Sequence, residues 1–253
     1  MSNERLRSQI AAAGLDYTTM AGSLEIDPKT VERWVTTDRL PHRRHRWAAA
    51  ELLGVDEGYL WPRVVDDPRT KSASQAEFVA LYPHRGAIPA ELWDALLRDT
   101  HDSFDLLAYS GLFLFDAHPD VLSSLIAKAG HGLKARIALG DPDSEALRQR
   151  GEEEGIGDNM AARVRVTLDA LAPLREVHGI ELRTHSTPLY TSIYRFDEQL
   201  LVNTHTYGSS AAHNPVLHLH RVPGGRLFDH YMQAFDRVWA TTGGQHDSPA
   251  MAR

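Results

Sequence analysis

The sequence predicts an α + α/β fold, with a small all-helical domain followed by an α/β domain built on a mixed sheet. Three observations predict it. The first sixty-odd residues carry apolar positions at helical spacing, punctuated by Gly14, Pro28, Pro41 and Gly54. From about residue 104 to 239, short β-branched and aromatic runs alternate with amphipathic stretches, the pattern of strands layered with helices. Between them lies DDPRTKSAS, residues 66–74, polar and without periodicity, which reads as a linker. The expected organisation is a first domain over 1–65, a linker over 66–74, a second domain over 75–242 and a disordered tail over 243–253.

In the first domain, residues 4–13 place Leu6, Ile10 and Ala13 on one helix face and end at Gly14, a common residue just past a helix end. Residues 18–24 form a short second helix. Asp27 before Pro28 is a helix-start signal, opening a third helix that runs to about Thr36. Pro41 interrupts the chain, a fourth helix covers 43–53 and stops at Gly54, and a short turn over 56–60 leads into Trp61-Pro62.

In the second domain, residues 104–115 read as a buried strand with a continuation, 118–129 as helix and 134–139 as strand. Residues 144–150 and 161–177 follow as helices, and 180–184 as strand. Residues 189–196 and 199–204 form a hairpin turning at Asp197-Glu198. A last strand covers 216–221 and a last helix 227–239. There is no internal repeat.

The chain has 253 residues, 42% of them hydrophobic and 24% charged, enough to bury an ordinary core without a metal or disulfide staple. It has no cysteine, which excludes disulfides, thiolate metal sites and cysteine nucleophiles. No apolar run approaches the ~18 residues of a membrane helix, and the polar N-terminus lacks a signal-peptide core. A cytoplasmic protein is expected. The net charge of −7 argues against nonspecific coating of nucleic acid, but its distribution is uneven. Residues 1–62 hold eight basic and nine acidic residues, against 19 and 25 in the remainder, and the basic ones concentrate in RLPHRRHR, residues 39–46.

Residues 6–62 resemble the Cro/C1-type (XRE) repressor family of bacterial five-helix helix-turn-helix domains. The residues that carry the resemblance are Leu6, Ile10, Gly14-Leu15, Met20-Ala21, Leu24, Ile26-Asp27, Thr30-Val31, Arg33-Trp34, Pro41, Ala48, 52–55 (LLGV) and 59–62 (YLWP). Ala21 is small where two helices must approach closely, and Ile26 and Val31 would lock the third helix onto the second. The resemblance implies that the third helix enters the major groove of double-stranded DNA. Lys29, Thr30 and Arg33 would then face the bases, since Arg reads guanine bidentately and Thr touches a thymine methyl. Thr18 and Thr19, opening the second helix, and Arg39, Arg43 and Arg44 would contact the phosphate backbone. The bland alternative is a small helical bundle that binds another protein.

Residues 84–242 resemble a regulatory domain distantly similar to the phospholipase D superfamily. The resemblance rests on 189–197 (LYTSIYRFD), 200–203 (LLVN), Tyr207-Gly208 and the closing helix with Phe228, Tyr231, Phe235 and Val238-Trp239. It implies a phospholipase D-like α/β domain. The superfamily's motif is His-x-Lys-x-x-x-x-Asp, with a histidine that attacks phosphorus and a lysine that neutralises the developing charge. Counted back from Asp197, Tyr190 stands at the histidine position and Ser192 at the lysine position. A tyrosine of pKa about 10 is a poor nucleophile at neutral pH, and a serine brings no charge, so no catalytic residues are expected.

A degenerate site can persist as a ligand pocket. Tyr190, Ser192 and Tyr194 alternate along one strand, and Asn203 and His205 along the next, so these five, with Tyr109 and Tyr207, form the candidate ligand set. A packed polar patch is the alternative. His205, His213, His218 and His220 cluster in sequence but match no zinc spacing, and neither metal nor cofactor is expected. The sequence therefore predicts a DNA-binding transcription regulator whose second domain dimerises and senses a small ligand. A homodimer is expected because the superfamily uses two copies of its motif and this chain holds one, and because paired domains read paired half-sites. The competing readings are a DNA-targeted phosphodiesterase or nuclease, and an interaction module without ligand.

Overall fold

The computed structural model describes residues 2–65 and 68–242, and the expected disordered tail over 243–253 lies outside the described residues. The chain divides into two compact units, Met1–Ser72 and Ala73–Arg253. The α + α/β class holds, with the sheet confined to the second unit.

The first unit begins with five helices: α1 (Glu4–Ala12), α2 (Tyr17–Ser23), α3 (Pro28–Thr36), α4 (Arg43–Leu52) and α5 (Glu57–Leu60). Four of them start on a side chain that accepts a backbone N–H freed at the helix end. Asn3 takes Leu6 N–H, Asp16 takes Thr19, Asp27 takes Lys29 and Asp56 takes Gly58. The turn between α2 and α3 closes with Glu25 N–H donating to the Gly22 carbonyl and Ile26 N–H to the Ala21 carbonyl, a left-handed cap in which Glu25 holds φ 55° where glycine is usual. Leu6, Met20, Ala21, Val31 and Val35 are fully buried between the helices. Arg46 is structural: it pairs with Glu57 and donates to the Pro41 carbonyl at 2.8 Å, fastening α4 to α5.

Two short helices follow, α6 (Pro62–Val65) and α7 (Pro68–Ala76). The stretch expected to be an aperiodic linker thus corrects to a helix over most of its length. The absence of an apolar stripe hid it, since none of its residues is buried. The sequence reading also missed β1 (Phe78–Tyr82) and α8 (Ala90–Asp99).

The second unit is a seven-stranded mixed sheet in the order β1-β7-β6-β5-β2-β3-β4. Its remaining strands are β2 (Ser103–Ala108), β3 (Lys134–Gly140), β4 (Ile180–His185), β5 (Thr191–Phe196), β6 (Gln199–Thr204) and β7 (Val216–His220). β2, β3 and β4 run parallel, and all other neighbours are antiparallel. One face carries α8, α9 (Leu112–Ala117) and α10 (Val121–Ala129), with Trp93 packed edge-on against Tyr194 and Phe196. The other carries α11 (Glu145–Glu153), α12 (Asn159–Ala170) and α13 (Leu227–Thr241), whose Phe228, Met232 and Phe235 cover Ile193, Leu200 and Val202. Asp105, buried in β2, accepts from Arg136 at 2.6 Å and Arg195 at 3.0 Å, and Arg136 continues to Asp236 of α13 at 2.8 Å. The buried negative charge on Asp105 is thereby matched rather than stranded.

The β5–β6 hairpin turns at Asp197, held at φ 49°. Its carboxylate accepts the N–H groups of His101 (2.7 Å), Asp102 (2.9 Å) and Ser103 (2.7 Å), fixing the start of β2 against the end of β5. Burial opposes ionisation of this carboxyl, but the three N–H donors and nearby His101 outweigh it and lower its pKa. Asp197→Ala leaves three donors without their acceptor and should cost about 2–3 kcal/mol, measured by urea unfolding. A loss below about 0.5 kcal/mol would show that water replaces the carboxylate without penalty.

Candidate functional site

Two places gather functional side chains, one in each unit. In the first unit, α3 buries Val31, Trp34 and Val35 and turns Lys29 and Arg33 to solvent, with Thr30 half-buried at the edge. Thr18 and Thr19 on α2 and Arg39 and Arg44 around α4 are exposed as well. Arg43 is half-buried, its guanidinium 4.3 Å from the centre of the Trp47 ring. Among the described residues, Lys29, Arg33, Arg39 and Arg44 have no carboxylate partner. The eight predicted DNA-contact residues therefore occupy α2, α3, the segment between α3 and α4, and the start of α4.

In the second unit, a cavity opens at the carboxyl end of β2, where the parallel and antiparallel halves of the sheet meet and where β5 begins and β6 ends. Such ends of α/β sheets are the usual place for ligands. The cavity holds about 90 Å³, and about 510 Å³ when its open mouth is included. Of the seven predicted ligand residues, Tyr109, Ser192, Tyr194 and His205 line it. The other three do not. Tyr190 lies before the first residue of β5, beyond the strand alternation that was to aim it, and is 82% exposed. Tyr207 is 87% exposed in the loop after β6. Asn203 pairs across the strands with Ser192, yet it is fully buried and donates to the Asn214 and Pro215 carbonyls, both at 3.2 Å.

His205 is the centre of the cavity's polar wall. Its Nε2 lies 3.0 Å from the Ser192 hydroxyl and its Nδ1 3.3 Å from the Leu189 carbonyl. The carbonyl only accepts, so Nδ1 carries the hydrogen and Nε2 accepts from Ser192. Tyr109 stacks on the imidazole at 5.7 Å between centroids, and its own hydroxyl accepts Leu189 N–H at 2.8 Å. Burial and the nearby Arg150 and Arg85 guanidiniums push the His205 pKa down to about 4, so the ring is neutral at physiological pH. Burial raises the Tyr109 pKa, keeping its hydroxyl protonated.

The residues that sequence reasoning missed are arginines. Arg150, buried on α11, pairs with Glu153 and Glu154 and donates to the Ser209 carbonyl at 2.7 Å, tying down the loop beyond His205. Arg85 and Arg163 line the cavity itself. The run 150–154 carries a legible i, i+3 and i, i+4 pairing signal, whereas Arg85 lies in a 3-10 turn (Arg85–Ala87) that meets a second one (Ala211–His213) only in the fold. The clustered histidines separate: His218 bonds Gln199 at 2.8 Å, and His213 and His220 are exposed. Among the described residues, no group of three or more His, Asp or Glu could hold a metal ion, and no helix is long and apolar enough to cross a membrane.

No protein-family model matches the chain, and no curated protein sequence matches it. Among solved structures it is similar to TrmBL2, an archaeal chromatin protein described with a novel mode of DNA binding. That likeness has 14% identity, a TM-score of 0.40, and covers 85% of this chain and 70% of that one. It is also similar to Nuc, a phospholipase D family member from Salmonella typhimurium, at 17% identity and a TM-score of 0.38, covering 67% of this chain and 99% of that one. Neither likeness bears on what this chain does.

The buried histidines impose a pH dependence. The unfolded chain binds a proton on histidine near the ordinary 6.5, but folded His205 does so only near 4. Between these values the unfolded state holds more protons, so stability falls as pH falls. His185 and His218, both lowered chiefly by burial, act in the same direction. Urea unfolding at pH 7 and pH 5 should show a loss on the order of 1–2 kcal/mol from His205, with a shallower decline in His205→Gln. Parallel pH profiles for the two proteins would remove His205 as the source.

Proposed function

We propose that the chain is a sequence-specific DNA-binding transcription regulator of the Cro/C1 (XRE) type, with a second unit that dimerises and senses a small ligand. The observation that carries the first part is α3: its apolar face is sealed in the core while Lys29 and Arg33 stand free on the opposite face. The N-terminal half of such a helix fits the major groove. Thr18, Thr19, Arg39, Arg43 and Arg44 lie where phosphates would pass beside it, which fixes register without reading sequence. The acidic net charge of the chain is consistent with a protein that holds DNA through one local surface.

The ligand-sensing part is supported by the cavity at Tyr109, Ser192, Tyr194 and His205. In this reading the site binds and does not hydrolyse. Tyr190, at the position of the attacking histidine, points to solvent, and Ser192 offers no cation for a phosphate. His205, although paired with a hydroxyl, has too low a pKa to act as an efficient general base near neutrality. A phosphodiesterase of the phospholipase D type is the second reading, and turnover of a generic phosphodiester substrate would favour it.

Base and phosphate contacts separate experimentally. Arg33→Ala should weaken binding to the specific site by roughly 1–3 kcal/mol while leaving random DNA little affected, whereas Arg44→Ala should weaken both alike and flatten the salt dependence. Titrations on the two DNAs at several salt concentrations check this, and equal losses for Arg33→Ala would make it a backbone contact.

Dimerisation through the second unit predicts about twice the 28.2 kDa chain mass in light scattering at micromolar concentration. Residues 73–253 should behave likewise. Monomers in both cases would remove the paired half-site arrangement.

A further inference from the structure

We infer that the cavity at the carboxyl end of β2 takes a small, singly charged carboxylate, held between Arg85 and Arg163. The inference rests on the ligand-sensing reading and gives it a ligand class.

Charge accounting carries it. Three arginines surround the cavity. Arg150 is satisfied within the protein by Glu153 and Glu154. Arg85, half-buried, has its guanidinium 4.2 Å from the Phe113 ring centre and no carboxylate partner among the described residues. Arg163, exposed on α12, lines the same cavity, also without one among the described residues. His205 contributes no charge, because burial and the two neighbouring arginines keep it neutral. Three positive charges against two negative leave a surplus of one beside a partly enclosed space. A charge-assisted bond to guanidinium is about twice as strong as a neutral one, and arginine's fork matches the planar carboxylate.

The remaining walls describe the rest of the molecule. Ser110, Ser192 and Ser210 line the cavity beside the apolar Met160 and Ala211. Ser192 already donates to His205, so its oxygen is left to accept. A volume of about 90 Å³ lies well below the roughly 300–1,000 Å³ of sites for drug-sized ligands. A short 2-hydroxy acid satisfies these terms: one carboxylate for the arginines and one hydroxyl for the serine wall. A phosphate dianion brings one negative charge too many.

The test uses the full chain and four additives at matched ionic strength: sodium lactate, its neutral amide, sodium phosphate and sodium chloride. A ligand that binds the native state raises the melting temperature. Lactate should raise it above the chloride control, while lactamide should not, and phosphate should do less than lactate. In calorimetric titration Arg85→Met and Arg163→Met should each weaken lactate about tenfold or more, with Arg175→Met as the unaffected control. Lactamide matching lactate overturns the charge inference, phosphate exceeding lactate overturns the single charge, and no shift with lactate overturns the ligand class. Because these arms compare additives on the unmodified chain, they do not depend on the variants folding. The underlying reading is tested apart from it by Ala211→Trp, which fills the cavity. Unchanged regulation of target genes in that variant removes the cavity from sensing, whatever the charge of its ligand.

Discussion

The register of β5 against β2 is the constraint on which the second unit depends. This pairing joins the parallel half of the sheet to the antiparallel half, and strand side chains alternate faces with a period of two. A slip of one residue would move Ser192 and Tyr194 from the cavity side into the α13 side and bring Ile193 the other way. Asp197 prevents that slip. It takes three consecutive backbone N–H groups at the start of β2, an arrangement that a shifted strand could not offer. Asp105 adds a second lock from the middle of the pair, since Arg136 from β3 and Arg195 from β5 both reach its carboxylate. Asp197 therefore fixes which face of β5 carries Ser192 and Tyr194 to the cavity.

A charge pattern is imposed on that frame. Arg150 is buried yet paired, which avoids the large cost of a lone buried cation, and its remaining donors hold the loop beyond β6. That loop places His205 within reach of Ser192. The positive surroundings and burial then keep His205 neutral, with one nitrogen committed to a backbone carbonyl and the other to a hydroxyl. Polar groups arranged this way satisfy one another within the protein, so the wall is preorganised. Arg85 and Arg163, which have no carboxylate partner among the described residues, are the part of the pattern left open.

Much of the first unit was legible because its signals are local. Asp27 followed by Pro28 starts α3 at the expected residue, Gly54 follows α4 within two residues of its end, and the spacing of Leu6 and Ile10 sets the buried face of α1. Caps and helix periodicity depend on neighbours within four residues, which a sequence displays directly. The hairpin at Asp197-Glu198 was legible for the same reason. The helix α7 was not, because it buries nothing and carries no stripe to betray it. β1 was missed because it is a five-residue edge strand with Phe78, Val79 and Leu81 half or more exposed, so it shows neither alternation nor a buried run.

By itself the sequence determined the division into a helical and an α/β part, the face of α3 that reaches solvent, the hairpin, and four of the cavity's lining residues. Strand alternation supports such inference only while the strand lasts. Tyr190 precedes β5 and Tyr207 follows β6, and outside the ladder no period dictates direction. Only the tertiary structure decided that these two face water, that the Asn203 amide N–H groups go to backbone carbonyls, and that Arg85 and Arg150 come near His205 while Arg163 lines the same cavity. Those arginines are separated by up to 78 residues in the chain, and their convergence depends on the sheet order and the packing of α11 and α12. Side-chain charge is written in the sequence, but whether a charge is paired or left open is settled by which distant segments the fold brings beside it.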